Sequence, residues 1–104
     1  MDSQLKFRPL KESDYETICS WWKWWRWPEI PRDMLPDSGK SGFMVYKNKT
    51  PIVSCFLFIT NSKGAKLEWV VSNPKYKEKD RKQAIEMLIN KVEEVCRNMG
   101  YKYI

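Results

Sequence analysis

Side chains that could do nucleophilic or metal chemistry are scarce in this chain. Histidine is absent, and the three cysteines, Cys19, Cys55 and Cys96, stand far apart. Without histidine there is no Ser/His/Asp or Cys/His arrangement. With no histidine and no CxxC pair there is no zinc-ligand spacing, so the sequence predicts no metal site. Each cysteine falls inside an apolar-periodic segment, where a free thiol behaves as a small buried hydrophobe. What remains is charge and aromatic surface. Lys77, Lys79, Arg81 and Lys82 crowd the start of a strongly periodic helix. Cations there would hold phosphate through side-chain charge. The same stretch also reads as Asp80-x-x-Gln83, a capping box whose carboxylate takes the first-turn N–H groups itself.

A second aromatic signal precedes it. Trp21, Trp22, Trp24, Trp25 and Trp27 lie at the end of a shorter helical pattern. They span more than half the helix circumference, so they cannot all face one core. Trp22 and Trp25 are expected in the core. The rest would pack under the following loop or stay partly exposed, where they would bind an aromatic or cationic group or a partner.

The elements that must position these residues follow from periodicity. Residues 5–8 read as a short strand closed by Pro9. Ser13-x-x-Glu16 is a capping box, and Ile18, Trp21, Trp22 and Trp25 recur at helical spacing, which predicts a helix over 14–25. Pro28 and Pro31 end it. Residues 28–41 carry no sustained period and read as a long loop with at most one helical turn. Strands follow at 42–46, 51–60 and 66–71, joined by short turns that imply an antiparallel meander. The apolar run from Ile52 to Ile59 predicts a central strand covered on both faces. Residues 81–99 form an amphipathic helix with Ala84, Leu88, Val92 and Cys96 on its apolar stripe, and Gly100 suits the C′ position. Residues 101–104 read as a final strand. A strand–helix–strand crossover would set it parallel to residues 66–71.

The chain has 104 residues, one domain's worth, 42% of them hydrophobic and 31% charged, the balance of a globular protein. No apolar stretch approaches a membrane span, and the first residues lack the apolar core of a signal peptide, so a cytoplasmic, non-membrane protein is expected. A net charge of +6 favours anionic partners, nucleic acid among them.

The segment Leu67-Glu68-Trp69-Val70-Val71-Ser72-Asn73-Pro74-Lys75-Tyr76-Lys77 resembles the fourth strand and V-x-P-x-Y-R run of the GNAT N-acetyltransferase superfamily. Together with the element order it resembles a small, phage-like GNAT member across nearly the whole chain. The resemblance implies an α/β (α+β) fold: a mostly antiparallel sheet with a parallel final strand pair, flanked by helices. It implies an acyl-CoA-dependent N-acetyltransferase or a degenerate relative, with acetyl-CoA as cofactor and an unidentified amine as acceptor. Val70, Val71 and Ser72 would hold the pantetheine, and the loop carrying Lys77, Lys79, Asp80, Arg81 and Lys82 the pyrophosphate. Glu68 would be the general base. The family's loop has the form Q/R-x-x-G-x-G/A; here Lys77 takes the Q/R position, while Asp80 and Lys82 stand where glycine is usual. The family also continues past the point where this chain stops, so a C-terminally truncated domain is expected. Its exposed edge would be covered by a second copy in a homodimer. The alternative is a non-catalytic basic module for nucleic acid or a protein, using the tryptophans and lysines.

Overall fold

A computed structural model describes residues 4–104 as a three-layer arrangement of two helices on either side of one sheet. Strand β1 (Leu5–Pro9) leads into helix α1 (Asp14–Trp24). Two 3₁₀ turns (Arg32–Met34 and Pro36–Gly39) precede strands β2 (Gly42–Lys47), β3 (Thr50–Ile59) and β4 (Ala65–Ser72). Helix α2 (Arg81–Asn98) comes last. The strand order is β1-β2-β3-β4 and every pairing is antiparallel.

Side-chain alternation assigns the two faces. Val45, Val53, Cys55 and Leu57 meet Ala84, Leu88, Val92 and Cys96 of α2. Met44 and Phe56, one residue out of phase, meet Ile18, Trp21 and Trp22 of α1 on the other side. β3 is buried on both faces from Ile52 to Leu57, as its apolar run predicts. Burial pushes the Cys55 thiol up to about 12, and Cys19 and Cys96 are raised by burial too, so all three stay protonated structural groups.

Both helix ends are closed by backbone geometry. At α2 the Tyr101 N–H donates to the Cys96 carbonyl (2.9 Å) and that of Gly100 to Arg97 (3.0 Å), with Gly100 at φ +94. This is a Schellman turn, with glycine where the left-handed region requires it. At α1 the same pattern forms without glycine. Trp27 N–H donates to the Trp22 carbonyl (2.8 Å) and Arg26 N–H to that of Lys23 (3.0 Å), Arg26 taking φ +63. The helix therefore ends at Trp24, before either proline acts.

The start of α1 differs from the expected capping box. Ser13 makes no side-chain cap. Instead Asp14, buried, accepts the Lys11 N–H at 2.8 Å and a two-pronged bond from Arg8 at 2.7 and 3.0 Å. Burial opposes ionisation of Asp14, yet the Arg8 hydrogen bond and the Lys11 amide hold its carboxyl below the usual range. Asp14 thus closes the helix start through the Lys11 amide, and the Ser13 hydroxyl plays no part because Ser13 is itself helical at φ −72 and ψ −14.

The long loop is also more structured than its composition suggests. Tyr15 Oη donates 2.7 Å to the Ile30 carbonyl, and the Arg32 guanidinium sits 4.2 Å above the Tyr15 ring. These ties bring residues 28–41 over α1 through a 3₁₀ turn at Arg32–Met34 and a kinked turn at Pro36–Gly39 in which Asp37 and Ser38 take left-handed angles (φ +50 and +52).

The largest correction concerns the end of the chain. The sequence predicts residues 101–104 as a strand parallel to residues 66–71. No such strand forms. The segment meets the sheet at the β3–β4 turn through one parallel bridge between Gly64 and Tyr103. Lys102 and Tyr103 N–H both donate to the Lys63 carbonyl, and Ala65 N–H donates to that of Tyr103. Four residues leaving a helix cap make one rung of a ladder, and one rung is not a strand pair. The GNAT fold expected from the resemblance needs a parallel strand pair. The all-antiparallel sheet lacks one, and the observed architecture is a small α+β fold.

Candidate functional site

β4 is an edge strand and carries the predicted residues Glu68, Val70, Val71 and Ser72; Lys77, Lys79, Asp80, Arg81 and Lys82 lie apart from it, at the start of α2, which Asp80 ties to Lys47 at the end of β2. Ala65 turns its N–H outward, 2.8 Å from the Tyr103 carbonyl. With a period of two, the N–H and C=O of Leu67 point outward as well. At the far end the Ser72 carbonyl faces outward too and accepts Trp25 Nε1 at 3.0 Å. Between these two anchors the outer edge has no backbone partner among the described residues.

The middle of that edge is distorted. Phe56 opposes Glu68 and Ser54 opposes Val71, so the single residue Cys55 faces both Trp69 and Val70. This is a β-bulge, and Trp69 carries it at φ +58. A bulky residue in the left-handed region stores backbone strain, of order 1–3 kcal/mol. The extra residue also switches faces. Leu67 packs on the α2 side while Val71 packs on the α1 side. Strict alternation would put Leu67, Trp69 and Val71 together; the bulge breaks that set and leaves Trp69 38% exposed.

The predicted residues divide accordingly. Glu68 and Val70 are exposed beside the bulge, Val71 is core, and Ser72 is half-buried with its carbonyl held by Trp25. Lys77, Lys79, Arg81 and Lys82 are all exposed around the start of α2. Asp80 departs from its expected role. It makes no side-chain cap on α2. Its carboxylate accepts the Tyr76 hydroxyl at 2.6 Å and sits 2.9 Å from Lys47 Nζ. Those partners, Tyr76 first, hold the Asp80 carboxyl below its usual value. Burial, reinforced by Asp80, pushes the Tyr76 phenol up to about 12. A local D-x-x-Q match loses here to a hydroxyl and an ammonium brought by tertiary structure, and the first-turn amides of α2 keep no carboxylate of their own.

The tryptophans also sort differently from expectation. Trp21 and Trp22 are buried; Trp24 (55% exposed), Trp25 and Trp27 (42%) are not. Trp25, expected in the core, leans out to the β4 edge. Trp27, Pro28, Trp69 and Val70 line one open apolar hollow of about 430 Å³ beside the bulge.

Sequence reasoning missed three residues that shape this region. Lys47 and Tyr76 brace Asp80, and only their types hinted at it. The Trp69 bulge had no local signal, because tryptophan is an ordinary strand former.

No protein-family model and no curated protein matches this sequence. Among the described residues no helix is long and apolar enough to cross a membrane.

Proposed function

We propose that the chain binds an acyl-CoA along the open edge of β4 and acts as an N-acyltransferase, or is a degenerate relative that keeps the ligand surface. One observation carries the reading. A strained bulge at Trp69 opens an edge of unpartnered backbone amides, and the same strand leads into a helix start with no side-chain cap. Strained backbone kept at a surface edge points to function. A pantetheine arm carries amides that would bond such an edge as an added strand does. A helix start with free N–H groups suits phosphate.

In this reading the Val70–Ser72 end of β4 holds the pantetheine arm through its outward backbone, Trp25 Nε1 giving up the Ser72 carbonyl to the ligand. Lys77, Lys79, Arg81 and Lys82 hold the pyrophosphate, and Asp80 braces the loop without touching the ligand. The thioester supplies an activated acyl group. Glu68 takes the proton from the attacking amine as the C–N bond forms, the thioester C–S bond breaks, and CoA leaves as a thiolate that takes its proton from solvent. The exposed tryptophan hollow borders the acceptor. A cytoplasmic setting supplies the cofactor, and a homodimer would cover the remaining edge.

A thermal-shift titration with acetyl-CoA tests this. A ligand that binds only the folded state raises Tm with concentration. No shift at millimolar acetyl-CoA overturns the reading. If a shift is seen, thiol release with a panel of amines separates an enzyme from a degenerate binder, and Glu68→Gln should abolish turnover while leaving the shift.

A further inference from the structure

Two clefts away from the β4 edge adjoin at Pro51. The first, about 430 Å³, is lined by Arg8, Lys11, Tyr46, Asn48 and Lys49. The second, about 370 Å³, includes Trp21, Trp24, Asn73, Pro74 and Lys75. Neither has an acidic residue in its lining. Asp14 takes up the charge of Arg8, but Lys11, Lys49 and Lys75 make no salt bridge among the described residues. Arg8 lies 5.5 Å over the Tyr46 ring, which covers that aromatic face. Trp24 is different: it is 55% exposed on the rim of the second cleft. It is also held in place. Trp25 meets it edge-on at 4.8 Å, and Trp25 is itself tied to the Ser72 carbonyl.

We propose that this continuous strip binds single-stranded nucleic acid, with Lys11, Lys49 and Lys75 on successive phosphates and a base stacked on Trp24. The chemistry selects the partner. A track of lysines with no salt bridge of their own, its one neighbouring carboxylate, Asp14, buried against Arg8, matches a phosphate backbone, and an exposed indole matches the flat face of a base. An acidic peptide would use the cations and leave Trp24 idle. The proposal stands on this strip alone and does not depend on acyl-CoA binding.

The test is fluorescence anisotropy of a labelled oligothymidylate against the full chain over a range of salt. Binding should fall with salt at a log–log slope of about −2, for three phosphate contacts on a single strand. Replacing Lys11, Lys49 and Lys75 with Ala should remove most of that slope. Removing three other surface cations, Lys63, Lys91 and Lys102, should leave most of the affinity. Trp24→Ala should weaken binding about tenfold with the salt slope unchanged, and Trp24→Phe should recover part of the loss. Trp24 is exposed, so the folded state survives its replacement, which circular dichroism checks. No binding at low salt overturns the proposal. So does equal loss from both lysine triples, which would mean diffuse attraction to a +6 protein. Equal affinity for polyglutamate, or indifference to Trp24, would also overturn it and point to an acidic protein surface.

Discussion

The Asp80 carboxylate lies 2.9 Å from Lys47 Nζ, joining the start of α2 to the end of β2 across 33 positions of sequence. With Tyr76 bound to its other oxygen, it fixes the loop between β4 and α2. The folded Asp80 pKa lies below its ordinary 3.8. Its contribution to stability is therefore fully present above that pH and is lost as pH falls through the lower folded value. Asp80→Asn should lower Tm at neutral pH, and the gap to the parent should close in strong acid. Melts across the acid range check this; a gap independent of pH would mean that the charge plays no part.

The Arg8–Asp14 pair should matter more, since Asp14 is buried and its partner half-buried. Asp14→Ala leaves the guanidinium with only the Pro9 carbonyl and the Lys11 amide without an acceptor. The expected cost is about 1.5–3 kcal/mol by urea denaturation. A cost under half a kcal/mol would show that the pair is replaced by water without penalty.

Gly42 is required for space. A Cβ there would stand 2.2 Å from the Cys55 carbonyl oxygen and 2.8 Å from Leu10 Cδ1. Gly42→Ala must push β2 away from β3. A loss of about 3 kcal/mol, or failure to fold, is expected, as read by urea denaturation or by the soluble yield.

The Trp69 bulge predicts an inverted order of stability. Trp69→Ala and Trp69→Gly lose the same indole contacts, but only alanine must hold a Cβ at φ +58. The glycine variant should be the more stable by about 1 kcal/mol, whereas on an ordinary strand alanine would win. Chemical denaturation of the two variants decides it.

Ser54 Oγ and Trp22 Nε1 are buried without a hydrogen-bond partner among the described residues. Ser54→Ala removes a desolvated hydroxyl and should be neutral or stabilising by up to about 1 kcal/mol. A clear loss of Tm would reveal a bond that the hydroxyl makes in solution.

Sequence by itself determined the elements. The run from Ile52 to Ile59 marked a doubly covered strand, the stripe from Ala84 to Cys96 marked the face of α2, and Gly100 marked its end, because each depends on periodicity or on one residue's backbone freedom. Tertiary structure alone decided the rest. The Ser13 and Asp80 capping patterns were locally valid and failed: Ser13 takes helical backbone angles while Asp14, braced by Arg8 from β1, accepts the Lys11 amide, and Lys47 from β2 together with Tyr76 takes the Asp80 carboxylate from the first-turn amides. The face switch at Trp69 was invisible, since a bulge is set by how two strands are held together and not by the residue that carries it. The parallel final strand also failed to form. Pairing is a property of two segments, and residues 101–104 meet the sheet at Lys63 and Gly64, on the β3–β4 turn and not alongside β4, where a single rung forms.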